Sequence, residues 1–235
     1  MAAPIGIEFP PEILNLCTSS RFRPVAVNLT SRGMFTGKQL VDGPLYQIWQ
    51  AFIEFPPLDR EQWQALEADI VRAYENRQAF RLFDPLRQVP IGAWGNTGSG
   101  AGTAWGDDTT WADGALWSDL YYNGMAAAEN APARRDSLLI DGAPAGQVKC
   151  IAKGDVCEID GFLYEIVNTA NADTLGRVRA NLRPALRESV TIGTQIIAAR
   201  ARGSFYVKDP SAFVMTRNSY TRWGQASLEF VEALP

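Results

Sequence analysis

One amphipathic helix, set in a chain that otherwise reads as strands, constrains the fold more than any other feature of the sequence. Residues Leu45 to Pro85 run strand, turn, helix, strand: LYQIWQAFIEF, PPLD, REQWQALEADIVRAYENR and QAFRLFDP. Asp59 is placed to cap the helix, with Gln62 three residues on completing a capping-box pair. Trp63, Leu66, Ile70 and Tyr74 recur at spacings of three and four, which predicts one apolar stripe for helix packing. Pro56 and Pro57 stop the preceding strand, because neither donates to a sheet ladder. A lone helix must bury its stripe against another element, and here that element is a β-sheet.

The other segments support that reading. FRPVAVNLTSR (22–32) alternates apolar and polar residues as a half-buried strand does. GMFTGKQLVDGP continues it as a second extended segment, ended by a turn at Asp42-Gly43-Pro44. Residues 1–20 read as an arm or an irregular lead-in. SLLIDG, GQVKCIAKGDVCEIDGFLYEIVN and GRVRANLRPALR are short strands between glycine turns, as in a small barrel or sandwich. Asp160-Gly161 between two of these strands is a strong hairpin signal. SFYVKDP (204–210) repeats the pattern of AFRLFDP (79–85), which predicts two neighbouring strands of one sheet. SAFVMTRN (211–218) and YTRWGQASLEFVEAL (220–234) read as a terminal hairpin. The expected layout is a discontinuous first domain, 1–90 plus 190–235. Into it is inserted a β module, 91–189, carrying a Trp/Gly-rich loop at 94–125.

Composition narrows the function. The chain has 235 residues, a net charge of -4 and no histidine. Missing histidine removes Ser-His-Asp and Cys-His catalysis and every His-ligated zinc site. The charge supplies no basic field for nucleic acid. The N-terminus shows neither a charged leader nor an apolar run, so no signal peptide or membrane span is expected. Three cysteines, Cys17, Cys150 and Cys157, are too few for a disulfide framework or a four-thiolate metal site. Cys150 and Cys157 read as small buried hydrophobes on adjacent strands.

The most suggestive local feature is NTGSGAGTAWGDDTTWADGALWSDLYYNG. Its Trp105, Trp111 and Trp117 are six residues apart, and Tyr121 and Tyr122 follow. Such aromatics among Asp, Thr and Asn either stack on sugar rings or anchor the segment to its own module or to a neighbouring subunit. Asp107, Asp108, Asp113 and Asp119 do not match the twelve-residue calcium loop. Asp155, Glu158, Asp160 and Glu165 would offer carboxylates for glycoside chemistry, but strand alternation and turns account for each of them. No catalytic, metal or cofactor residue is therefore assigned, and the expectation is a protein that is not an enzyme.

The order of these segments resembles the distal tail proteins of long-tailed bacteriophages and their gene-transfer-agent relatives. The likeness runs through FRPVAVNLTSRGMFTGKQ, YQIWQAFIEFPPLDREQWQALEADI, AFRLFDP, GDVCEIDGFLYEIVNTANADTLGRVRANLRPALR and the final LEFVEAL. It covers most of the chain apart from 94–135. The resemblance implies a mainly β fold: a tail-tube-like β-sandwich flanked by one helix, with a small β-barrel or sandwich module inserted. It implies a homo-oligomeric ring, six copies in that family, joining the tail tube protein to the tip hub and fibre proteins. The expected location is the virion tail tip or baseplate, assembled in the host cytoplasm, and the 33–44 segment and the helix are the expected ring contacts. A carbohydrate-binding module using the tryptophan segment for host attachment is the alternative.

Overall fold

A computed structural model of the chain describes residues 6–32, 39–75, 77–95, 125–209 and 226–234. The chain divides into two compact units, Met1–Leu86 with Arg202–Pro235, and Arg87–Ala201. The fold is mainly β, and each unit has its own sheet.

The first unit contains β1 (Ile7–Glu8), α1 (Pro11–Leu14), β2 (Ser19–Arg32), β3 (Gln39–Phe55), α2 (Arg60–Glu75) and β4 (Phe80–Phe83). Far along the chain it adds β11 (Arg202–Val207) and β12 (Ala226–Glu232). These strands form one sheet in the order β1-β4-β11-β12-β3-β2. β4 and β11, the two similar segments, are antiparallel neighbours with Phe80 opposite Phe205. Because they run in opposite directions, Asp84 and Asp209 lie toward opposite ends of the pair.

The sheet curves into a half-barrel. Two strands separate β2 from β11, so in a flat sheet they would lie roughly 14 Å apart. The rings of Phe22 and Phe205 are nevertheless 5.7 Å apart, edge to face. Phe80 and Phe230 likewise meet across β11 at 6.4 Å. The concave face is therefore the core, and Ala51, Ile53, Phe55, Phe80, Leu82, Phe205 and Phe230 are all fully buried on it. Phe9 stacks on Phe55 and meets Phe80 and Phe230 edge to face. The lead-in is thus not irregular: β1 pairs in parallel with β4, and Phe9, Ile13 and Leu14 belong to the core.

α2 begins as its sequence predicts. Asp59 N–H donates to Gln62 Oε1 at 3.2 Å, and Gln62 N–H donates to Asp59 Oδ1 at 2.8 Å. Trp63, Leu66 and Ile70 are buried, but the fourth buried position is Ala73, not Tyr74. Tyr74 is 67% exposed. At about 100° per residue the centre of the stripe falls between Leu66 and Ile70, and Tyr74 projects roughly 60° to one side of it.

The second unit is a closed barrel of β5 (Met125–Ala127), β6 (Ser137–Asp141), β7 (Val156–Ile159), β8 (Phe162–Ile166), β9 (Val178–Arg183) and β10 (Gln195–Ile197). β9 shows the logic: Val178, Ala180 and Leu182 point inward, while Arg179, Asn181 and Arg183 are exposed. The Asp160-Gly161 turn joins β7 to β8 with positive φ at both residues, 50° and 81°. That is the conformation for which the Asp-Gly pair is suited.

β10 closes the barrel by pairing with both β5 and β7. Residues 190–201, expected in the first domain, therefore belong to the barrel unit. The loop bounds 94–125 also shrink, since Trp94 is buried in a 3-10 turn and Met125 opens β5. Cys150 and Cys157 are buried as expected, but only Cys157 lies in a strand. Segment 211–218 lies outside the described residues, and β12 pairs with β11 and β3.

Candidate functional site

Three features of the fold bear on function: a strand ribbon leaving the sheet, an exposed flank of α2, and a clamp on the barrel.

The ribbon arises where β12 ends. β12 pairs with β3 from Gln50 to Phe55 only, whereas β2 pairs with β3 from Ser19 to Arg32. At the branch point Trp49 N–H donates 2.9 Å to Glu232 Oε2, so a side chain takes over where the strand has run out. From there, among the described residues, β2 and β3 pair only with each other over about 30 Å, at roughly 3.3 Å per residue. Register shifts fall on both sides of Asn28, whose partner is Pro44. A bulge accommodates a proline that cannot donate to the ladder. The Asp42-Gly43-Pro44 segment therefore lies within β3 and is not a terminating turn. Residues 33–38 of the expected contact segment lie outside the described residues.

Trp49 also reveals the polarity of the edge. Its N–H points toward β12, so Pro24 and Trp49 form a pair whose backbone groups face away from each other. The missing N–H of Pro24 consequently falls on the free edge of the sheet. Arg21 and Arg23 precede it, both exposed. Proline and charge together blunt this edge against strand addition.

α2 carries Val71 and Tyr74 on one flank, 47% and 67% exposed. Tyr74 faces a cleft of about 570 Å³ that Tyr206 of β11 also lines. The helix ends there, with Arg77 in the left-handed region at φ 51° and Gln78 N–H returning to Ala73 O at 2.9 Å.

The clamp is Asp155, 2% exposed, just before β7. Its Oδ1 accepts Ile91 N–H at 2.7 Å, and its Oδ2 accepts Gly92 N–H at 3.1 Å, Trp94 Nε1–H at 2.9 Å and Ala152 N–H at 2.8 Å. Gly92 is required here: a Cβ would lie 2.6 Å from Cys150 O and 2.8 Å from Ile151 Cα. Nearby, burial and then the Asp155 charge push the Cys150 thiol up to about 11, and the same causes with Glu158 raise Cys157. Buried and raised in this way, both thiols serve as packing groups in the barrel. The sequence marks Asp155 only as one strand-end acid among several, because three of its four donors are backbone groups that composition does not reveal.

Of the predicted site residues, Trp63, Leu66 and Ile70 come together in the core, and Tyr74 stands outside it. Trp105, Trp111, Trp117, Tyr121 and Tyr122 lie outside the described residues, as do Asp107, Asp108, Asp113 and Asp119. Among the described residues no group of His, Cys, Asp and Glu could hold a metal ion, and no helix is long and apolar enough to cross a membrane. No protein-family model matches the chain, and no curated protein matches it.

Proposed function

We propose that the protein is a structural adaptor at the distal end of a long-tailed bacteriophage tail. In this reading its copies close into a ring between the tail tube and the tip hub and fibres. The order of segments that resembles the distal tail proteins supports this reading. So does a half-barrel unit with a separate barrel inserted between its strands.

The observation that carries it is the β2–β3 ribbon. Among the described residues no third strand pairs with this part of β2 and β3, and an isolated two-stranded ribbon is marginal in water, which favours a partner surface. A protein whose working surface is such an arm is built to assemble. Replacing residues 28–44 with a two-residue Asn-Gly turn should leave the first unit folded and abolish ring formation. Rings that persist after this replacement would remove the arm from the account.

The alternative is a carbohydrate-binding module. It draws support from the clamp, since the Asp155–Trp94 hydrogen bond fixes the N-terminal flank of the tryptophan-rich segment to the barrel. Glycan binding that is lost in Trp111→Ala, by a protein that forms no rings, would favour that alternative.

A further inference from the structure

Resting on the ring reading, we propose that the subunit contact joins the Arg21/Arg23 face of β2 in one copy to the Tyr74 flank of α2 in the next. Three observations on the first unit lead to this pairing.

The first is charge. β2, SSRFRPVAVNLTSR, contains arginines and no acid. α2 carries Glu61, Glu67, Asp69 and Glu75 against only Arg60 and Arg72. Arg21, Arg23 and Glu67 are exposed and form no ion pair among the described residues. Half-exposed Glu54 opposite Ser19 is the nearest acid in the β2–β3 register, and buried Asp84, which accepts from Ser20 Oγ at 2.5 Å, is the other acid beside this stretch.

The second is the exposed apolar and aromatic surface beside that acidic flank. On α2, Glu67, Val71 and Tyr74 follow at spacings of four and three and so share one side of the helix. Tyr206, 40% exposed, faces Tyr74 across the cleft. Tyrosine faces bordered by carboxylates suit a guanidinium, which stacks on the ring and pairs with the acid. Tyr and Arg are also the residues enriched at subunit contacts.

The third is the blunted edge. With Pro24 turned to the free edge and two arginines just before it, β2 is poorly suited to receive another strand. Its contact surface is its side chains, chiefly Arg21 and Arg23. β2 is one edge of the sheet, while the cleft lies beside β11, toward the other edge. Two different patches on one unit meet head to tail, which generates a ring when the rotation closes and a filament when it does not.

The test is charge reversal on the full chain, read by native mass spectrometry and by thermal melting. Arg21→Glu with Arg23→Glu, and separately Glu67→Lys with Glu75→Lys, should each shift assembly to at least tenfold higher protein concentration. Melting of the dissociated subunit should be unchanged, because all four side chains are exposed. Carrying both reversals in one chain should restore assembly, and raising salt should weaken assembly of the native protein. Rings that survive both reversals unchanged would overturn this contact while leaving the ring reading intact. A native protein that stays monomeric at every concentration would sink both. Loss of assembly with no restoration in the combined variant would also overturn the pairing, since each patch would then have some other partner.

Discussion

Replacing Asp155 by asparagine should strongly destabilise the barrel unit. The aspartate receives four hydrogen bonds shorter than 3.2 Å, all from N–H donors and all at a site 2% exposed. Asparagine keeps one acceptor oxygen, which can serve Ile91. Its amide group would then face the donors of Gly92, Trp94 and Ala152. A hydrogen bond to a charged group contributes roughly 1.5–3 kcal/mol, so losing these three costs roughly 4.5–9 kcal/mol. That is a large part of the roughly 5–15 kcal/mol that holds a typical domain folded. Denaturant unfolding of the full chain, followed by tryptophan fluorescence, would measure it. Asp160→Asn is the control, because asparagine tolerates the left-handed backbone of that exposed turn and should change stability by less than about 0.5 kcal/mol. Equal losses in the two variants would refute the argument that Asp155 is a hub.

Other parts of the account can be checked in the same way. Leu66→Ala should cost roughly 2–5 kcal/mol. Tyr74→Ala should cost less than about 1 kcal/mol in the dissociated subunit, and comparable losses would place Tyr74 back on the buried stripe. A fragment of residues 87–201 should melt cooperatively, whereas 91–190 should not, because it lacks β10 and opens the barrel between β5 and β7. The raised thiols give a pH signature. The Cys150 pKa lies at about 11 in the folded chain against an ordinary 9.0, so the folded state retains a proton that the unfolded state loses. Stability of the barrel should therefore be level below pH 9 and fall as pH rises from 9 toward 11. Stability that increases over that interval would contradict the assignment.

Much of this fold was legible because local chemistry and global position agree. The Asp59–Gln62 box, the alternation of β9 and the Asp160-Gly161 hairpin each depend on a few adjacent residues. The repeated Phe-x-aliphatic-x-Asp-Pro pattern predicted neighbouring strands and found β4 beside β11. The misreadings share a cause, which is that a long-range partner overrides the local signal. Tyr74 looked like the last apolar residue of the stripe, yet the direction of burial selects the smaller Ala73. Asp42-Gly43-Pro44 has the composition of a turn, but pairing with β2 absorbs its proline in a bulge. The three residues of β10 carry no periodic signal, and only closure of the barrel gives them a strand's role. The clamp was the hardest to foresee, because Asp155 reaches partners as far as Ile91, 64 residues away along the chain.

The central claim is that this chain assembles into a closed ring through its first unit, and direct imaging tests it best. Electron micrographs of the purified full-length protein should show rings of uniform size, and Arg21→Glu/Arg23→Glu protein should show isolated particles. Uniform single particles from the native protein at every concentration tried would contradict the claim.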